Sequence, residues 1–287
     1  MKLLTIDSRE VAGRPGVLLD SGDILDLAVA PTTLSESQWI PQSVISVIAA
    51  GDSGYEGVNR LIAAVDSNRE KLLSVGALLP YEGTALMTPV RRPGLILIAD
   101  DQMSATIKSP NTAVGNASAV NLPKSNSDVF GMLPMVAAVL SRPLYKATEA
   151  QADEAIAGFT LLADISALRP AVDANIESWR SYTDSKQFPG ACPLGPLIVT
   201  RDELSDVATR AAKIAINGVE VVAGSLVPEG KTIAEVVADC SQHYGFRPGD
   251  VIGVMSSAGA GEEQKVYATD QVSIAYPGLL ELEFSLV

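Results

Sequence analysis

The chain has 287 residues but only one histidine, His243. A single imidazole excludes zinc sites built from several histidines and the iron site of two histidines and one carboxylate. It also leaves a Ser/His/Asp triad only one candidate for its general base. Chemistry in this chain is therefore expected to use carboxylates, lysines, hydroxyl groups or the backbone.

Cysteine is almost as scarce, because the chain contains only Cys192 and Cys240. Two cysteines make neither a disulfide framework nor a zinc site of the usual kind. No histidine or basic cluster accompanies Cys192, so we interpret it as a small buried residue rather than a nucleophile.

Positive charge is also in short supply, with 21 Lys and Arg against 34 Asp and Glu and a net charge of −13. Such a chain repels phosphate backbones, so we expect no nucleic-acid partner. It has no apolar run of about 18 residues and no signal-peptide core at its start, which predicts no membrane span and a cytoplasmic location. The 47% of hydrophobic residues is enough to bury a core.

Turn and cap signals divide the chain into short elements. Residues 2–6, 16–19 and 24–27 have the pattern of strands, and apolar residues at helical spacing predict a helix around Val58 and Val65. The Pro- and Arg-rich segment 89–94 resembles a linker, and we place a domain boundary near residue 90.

The larger C-terminal part alternates strands with a few helices. Thr148 with Gln151, and Thr232 with Glu235, are capping boxes that predict helix starts. Asn217-Gly218 predicts a hairpin with a type I′ turn, and the alternating residues 280–286 predict a strand. A mostly β pattern with many Gly and Pro turns favours a rolled or barrel-like sheet.

Several segments in a fixed order carry a family resemblance. They are Lys108-Ser109-Pro110 with Gly115, residues 158–167 (GFTLLADISA), Lys186-Gln187-Phe188 with residues 193–200 (PLGPLIVT), Asn217-Gly218, and residues 248–252 (PGDVI) followed by Ser256 and Gly259. At the N-terminus, Arg14-Pro15-Gly16-Val17 and Asp26-Leu27 fit the same pattern. Together these segments resemble the fumarylacetoacetate hydrolase family over nearly the whole chain.

The resemblance implies an α+β, mostly β fold. A small N-terminal α/β domain (residues 1–90) would precede a catalytic-type domain (residues 91–287) with a rolled, barrel-like mixed sheet, and the protein would be a homodimer. Enzymes of the family hydrolyse C–C bonds of diketo acids, or decarboxylate, hydrate, dehydrate or tautomerise small 2-oxo acids. Mg²⁺ or Ca²⁺ polarises the substrate oxygens, and a lysine helps to stabilise the enolate.

The sequence departs from the family at the metal site. The family holds its metal largely through D-x-E-x-E-L, and the matching segment here is residues 128–133 (DVFGML), with Phe130 and Met132 in place of the two glutamates. Only Asp164 matches a ligand position, and Asp128 is the one further candidate ligand. One or two carboxylates are too few to bind Mg²⁺ or Ca²⁺ tightly. We therefore expect no tightly bound cofactor and at most weak Mg²⁺ or Ca²⁺ binding through Asp164.

A second departure removes the pair that activates water in family hydrolases. Those enzymes carry N-Y-x-x-H-x-x-E after the first strand of the large domain, but here residues 95–99 lead through Asp100-Asp101 almost directly to Lys108, without a histidine. Asp100 and Asp101 are either acid–base substitutes for the missing pair or ordinary loop residues. The shortened loop argues against metal-bound, histidine-activated hydrolysis.

Three catalytic candidates remain at positions that match the family. Lys186 would supply positive charge, Asp164 a proton shuttle, and Ser256, where the family commonly has Thr, an oxygen-anchoring hydroxyl. Each has a structural alternative. Lys186 could be a solvated surface lysine, Asp164 a structural partner of a nearby lysine or amide, and Ser256 an ordinary turn hydroxyl. Residues assigned to the substrate pocket are Phe130, Met132, Lys108 and Gly259, although Phe130 and Met132 could instead fill the vacated metal site as core.

Two hypotheses about function follow. The favoured one is an enzyme of the family that acts on a β-dicarbonyl, enol or 2-oxo acid by C–C hydrolysis, decarboxylation, tautomerisation or cyclisation, without a tightly bound metal. The other is a catalytically silent paralogue that binds a small molecule or serves as a structural partner subunit.

Overall fold

The computed structural model describes residues 1–8, 13–35, 39–100, 105–123, 129–167, 185–256 and 259–287. Up to residue 80 it contains β1 (Lys2–Ile6), β2 (Arg14–Leu18), β3 (Asp23–Asp26), α1 (Ala30–Thr33), α2 (Val44–Ala49), α3 (Asp52–Ala63), α4 (Arg69–Ser74) and β4 (Leu78–Pro80). After residue 80 it contains β5 (Ile96–Ala99), β6 (Ala105–Lys108), β7 (Ala113–Val114), β8 (Ser118–Val120), β9 (Val129–Leu140), α5 (Glu149–Ala155), β10 (Ile156–Ala167), β11 (Cys192–Thr200), β12 (Ala212–Ile216), β13 (Val219–Gly224), α6 (Ile233–Ser241), β14 (Val251–Val254), β15 (Gln264–Tyr267), β16 (Gln271–Tyr276) and β17 (Leu280–Leu286).

The strands form two sheets. The larger has the order β4-β3-β2-β1-β11-β10-β9-β14-β5-β6, with β15 also paired to β9 and β7 to β11, and the smaller has the order β13-β12-β16-β17-β8. Most neighbours are antiparallel, but β14 runs parallel to β5. The prediction of a mostly β α+β fold on a rolled mixed sheet is confirmed, although the large sheet does not close into a barrel.

The large sheet continues across the predicted domain boundary near residue 90. That boundary falls in the segment between β4 and β5, yet β1 pairs with β11, with Lys2 opposite Val199 and Leu3 opposite Ile198. The N-terminal strands therefore extend the sheet of the C-terminal part, and the division into two domains stays a prediction.

Local sequence signals explain several element boundaries. Both predicted capping boxes form, with the Thr148 hydroxyl accepting from the Gln151 N–H and the Thr232 hydroxyl accepting from the Glu235 N–H. The predicted hairpin joins β12 and β13 through Asn217 at φ 52° and Gly218 at φ 75°. These signals work because each satisfies backbone groups or dihedral angles within a few residues.

The paired strands β9 and β10 form the centre of the large sheet. Every residue of β10 is buried, which explains its nearly continuous apolar sequence. Alternate side chains enter two different cores: Phe130, Met132 and Ile165 belong to one core, whereas Met135 and Leu162 belong to the other. The face on which a β9 or β10 residue lies therefore decides which residues it can meet.

Asp250, in the segment Pro248-Gly249-Asp250, fixes the entry to β14. Its two carboxylate oxygens accept hydrogen bonds from the Leu95 N–H (2.8 Å) and the Arg247 N–H (2.7 Å), and the residue is 2% exposed. This part of the family-like motif therefore has a structural role that joins β14 to the start of β5.

Burial raises the pKa of the Asp250 carboxyl, against the opposing effect of the hydrogen bonds it accepts. A raised pKa means that ionisation disfavours the folded state. We therefore expect the unfolding free energy of the wild type to fall relative to Asp250→Asn as the pH rises from about 3 to about 6. Urea unfolding of both proteins across this range measures the difference, and a difference that is constant or changes in the opposite direction would contradict the assignment.

The helices of the described part are short. None of them is long and apolar enough to cross a membrane.

Candidate functional site

Two lysines share one aspartate in the interior of the protein. Asp164, on β10, receives the Lys108 ammonium at 2.5 Å on Oδ1 and the Lys186 ammonium at 2.7 Å on Oδ2. Lys108 is fully buried, Asp164 is 1% exposed and Lys186 is 4% exposed. We call these three residues the Lys–Asp–Lys cluster. It brings together three of the residues that the sequence proposes for the site.

The two lysines reach Asp164 from segments that are tied to each other. The Gln187 side chain accepts from the Ser109 N–H (2.8 Å) and donates to the Ile107 carbonyl (2.9 Å). It therefore joins the segment that carries Lys186 to the end of β6, which carries Lys108. The Lys108 ammonium also donates to the Ala191 carbonyl at 2.9 Å, which fixes its position.

Both oxygens of Asp164 are engaged by ammonium groups. Charge-assisted hydrogen bonds of this kind are short and strong, and they fix both carboxylate oxygens in place. Counted over these three side chains, two positive charges accompany one negative charge. The cluster therefore holds two ammonium groups in fixed positions beside one carboxylate.

The strand register defines the neighbours of Asp164. Asp164 lies opposite Leu133, and Ser166 opposite Gly131, in an unshifted stretch of the β9–β10 pairing. Since directly opposed residues share a face and faces alternate, Gly131, Leu133 and Met135 lie on the face of Asp164.

Phe130 and Met132 lie on the other face of β9. They are paired with Ala167 and Ile165 and are packed in the other core, 4% and 0% exposed. The side chains on the Asp164 face of β9 include Leu133 and Met135, whereas Phe130 and Met132 are packed in the other core. A displacement of one residue in the family-like alignment of this segment would bring Gly131 and Leu133 to the two positions, because such a shift exchanges the two faces of the strand.

The donors around Asp164 do not suit a divalent cation. Mg²⁺ and Ca²⁺ take six or more oxygen ligands, but both Asp164 oxygens are bound to ammonium groups and Leu133 and Met135 have no side-chain oxygen. In the parts of the chain that the structure describes, no group of three His, Cys, Asp or Glu side chains is placed to hold a metal. Asp128, the further candidate ligand, lies outside the described residues.

The remaining predicted site residues lie on the segment after β14. Ser256 is 4% exposed and packs against Gly261, where a Cβ would approach the Ser256 Cβ at 2.6 Å. Gly259 is exposed and lies beside the Gly224–Ser225 corner at the end of β13. The roles of Ser256 and Gly259 in the site stay predictions.

Cys192 lies near the cluster as a buried thiol, and Asp100 lies near α6. Burial raises the pKa of the Cys192 thiol to about 12, with Lys108 lowering it and Asp164 raising it to a lesser extent, so the thiol stays protonated. Burial, followed by the charges of Asp239 and Asp100, raises the pKa of the Cys240 thiol on α6 to about 11, which places Asp100 near that helix. Asp101, the other acidic loop candidate, lies outside the described residues.

One acidic side chain near the cluster is absent from the sequence-based candidates. The Glu263 carboxylate lies directly over Gly131, so that a Cβ on Gly131 would overlap it, and the Ser166 hydroxyl lies 3.0 Å from the same point. Glu263 cannot be selected from the sequence, because its position near the cluster depends on the pairing of β15 with β9. The glycine within an otherwise bulky strand was the available signal, since an isolated strand glycine often marks a close approach.

Comparisons with known proteins agree with this fold and with the motif order. The family described as "Fumarylacetoacetate (FAA) hydrolase C-terminal" matches residues 98–287. The mitochondrial oxaloacetate tautomerase FAHD2A of Bos taurus is 25% identical over 284 residues, covering 92% of this chain and 83% of the bovine protein. The oxaloacetate tautomerase YisK of Bacillus subtilis (strain 168) is 23% identical, covering 86% of each chain.

Solved structures show the same fold. Maleylpyruvate hydrolase from Sphingobium sp. SYK-6, solved also with manganese(II) and pyruvate, has a TM-score of 0.69 at 21% identity and covers 100% of this chain and 99% of its own. A putative HpcE protein from Mycobacterium smegmatis has a TM-score of 0.74 at 19% identity, with complete coverage of both chains. With the family match spanning well over half of its length, the chain belongs to the fumarylacetoacetate hydrolase family.

Proposed function

We propose that this protein is an enzyme that interconverts the keto and enol forms of a small 2-oxo acid, with lysine ammonium groups in the place of a divalent cation. The observation that carries the proposal is the sharing of Asp164 by Lys108 and Lys186. Enolisation places negative charge on the carbonyl oxygen, and a fixed ammonium group in a buried site stabilises that charge.

Lys186 is the lysine assigned to the substrate. It is slightly exposed whereas Lys108 is fully buried, and Leu133, which lies opposite Asp164, is only half-buried. The substrate's 2-oxo oxygen and its neighbouring carboxylate would accept hydrogen bonds from the Lys186 ammonium. Lys108 and Asp164 then act as positioning residues that hold Lys186 in place, which revises the sequence-based role of Asp164 as a proton shuttle.

Tautomerisation is favoured over the histidine-activated hydrolysis of the family, because that reaction needs an imidazole to activate water. The only histidine, His243, is an exposed residue just after α6. Both relatives reported above are named oxaloacetate tautomerases, so oxaloacetate is the first substrate to test. A small-molecule substrate, a cytoplasmic location and a homodimer remain predictions, and light scattering of the purified protein tests the last of these.

The experiment follows the decay of the enol absorbance of freshly dissolved oxaloacetate in the presence of EDTA. We expect acceleration over the buffer rate that changes by less than about twofold when Mg²⁺ or Mn²⁺ is added in excess, because Asp164 is occupied by two ammonium groups. Acceleration only with metal would contradict the role of the lysines. No acceleration under either condition would favour the silent paralogue.

A further inference from the structure

The Glu263 side chain lies over β9, near the centre of the large sheet, at the position where Gly131 has no side chain. Gly131 lies opposite Ser166 on β10 and opposite Lys265 on β15. A Cβ at Gly131 would overlap the Glu263 carboxylate and lie 3.0 Å from the Ser166 hydroxyl. The missing side chain therefore makes the space in which this carboxylate extends across β9 towards β10.

This carboxylate lies on the same face of the sheet as Asp164. Ser166 is two residues beyond Asp164 on β10, so the two positions are about 6.6 Å apart along the strand. Gly131 pairs with Ser166 and Leu133 pairs with Asp164, so the two β9 positions are also two residues apart. Glu263 therefore lies on the Ser166 side of Asp164, next to the half-buried Leu133.

The Glu263 carboxylate is available for proton transfer, in contrast to that of Asp164. Within the described residues no hydrogen bond or ion pair holds it, and its side chain is exposed to solvent. Both Asp164 oxygens, by comparison, already accept hydrogen bonds from ammonium groups that stand between them and a substrate proton.

We propose that Glu263 is the proton-transfer residue of this site and that Gly131 gives it access. This inference rests on the proposed function, for which it supplies the acid–base group. Glu263 takes a proton from the carbon next to the carbonyl, the C–H electron pair becomes the C=C bond, and the carbonyl π pair moves to the oxygen facing Lys186. The proton then returns from Glu263 to that oxygen, so the step is an isomerisation that needs no co-reactant.

The test compares Glu263→Gln with Glu262→Gln, a matched change at the adjacent exposed residue. We expect Glu263→Gln to lower kcat for oxaloacetate tautomerisation by about 10²–10⁴-fold, with KM changed by less than about threefold. Glu262→Gln should stay within about twofold of the wild type. The acidic limb of the kcat/KM profile should disappear in Glu263→Gln, a result that a structural role would not produce.

Gly131→Ala tests the access that the glycine provides. The added Cβ meets the end of a flexible side chain rather than backbone. The variant should therefore fold, with an unchanged circular dichroism spectrum, while displacing the carboxylate. We expect its kcat to fall at least 10-fold, and we expect Gly131→Ala to add less than about threefold to the loss in Glu263→Gln, because both changes act on one group.

The outcomes separate this inference from the proposed function. Wild-type activity together with an unaffected Glu263→Gln variant would overturn the role of Glu263 and leave the proposed function standing. A wild type that neither tautomerises oxaloacetate nor exchanges the methyl protons of pyruvate with deuterated solvent would overturn both.

Discussion

Replacing Asp164 by alanine is expected to lower the free energy of unfolding by about 3–5 kcal/mol. The substitution removes the only carboxylate of the Lys–Asp–Lys cluster and leaves two ammonium groups inside the protein, at 0% and 4% exposure. The removal of a carboxylate partner from desolvated charges is among the costliest changes in a core. Urea unfolding of the purified variant at neutral pH measures the loss.

Thr160→Val is the matched control for this substitution. Thr160 is fully buried on the same strand, and its hydroxyl has no hydrogen-bond partner in the described structure. Its replacement by an isosteric apolar residue is expected to change the unfolding free energy by less than about 1 kcal/mol. A loss below about 1 kcal/mol for Asp164→Ala as well would mean that the cluster is not a buried ionic unit.

A triple variant tests whether the loss of unfolding free energy comes from the two ammonium groups that remain buried without Asp164. Replacing a whole buried ion cluster by apolar residues is often neutral, whereas removing one partner is not. The combination of Asp164→Leu, Lys108→Met and Lys186→Met should therefore regain most of the stability that Asp164→Ala loses. Such a variant would keep the fold and lose the function.

Replacing Lys186 by methionine is expected to lower kcat/KM for oxaloacetate tautomerisation by about 10²–10³-fold, as removal of one oxyanion-stabilising donor typically does. Asp164 keeps Lys108 as its partner at 2.5 Å, so the variant should remain folded. The methionine side chain fills a similar volume without the charge. Enol-decay kinetics and circular dichroism separate the catalytic effect from unfolding.

Lys213→Met controls for the loss of one positive charge. The Lys213 side chain is 70% exposed and pairs with Glu220 on the smaller sheet. Its removal should leave kcat/KM within about twofold of the wild type. If Lys186→Met retained the wild-type value, the assignment of the substrate to the Lys186 ammonium would be wrong.

Much of the fold could be predicted from the sequence because its signals are local. The capping boxes of α5 and α6 and the Asn217-Gly218 turn act within a few residues, and all three are present. The motif order correctly indicated the family. Lys108, Asp164 and Lys186 were selected through that resemblance, and the structure brings them together.

The faces and pairings of the strands could not be predicted in the same way. A displacement of one residue exchanges the two faces of a strand, so the sequence pattern assigns Phe130 and Met132 to the face on which Gly131 and Leu133 lie. The approach of Glu263 to Gly131 depends on the contact of β15 with β9, which are far apart in sequence. The continuation of the sheet from β1 to β11 is equally non-local.

The most direct test of the central claim is a crystal structure of the protein soaked with pyruvate and Mn²⁺, with anomalous scattering used to locate the metal. We expect a pyruvate carboxylate or carbonyl oxygen within hydrogen-bonding distance of the Lys186 ammonium and no manganese peak at Asp164. A manganese ion coordinated by Asp164, with Lys108 or Lys186 displaced from the carboxylate, would contradict the claim.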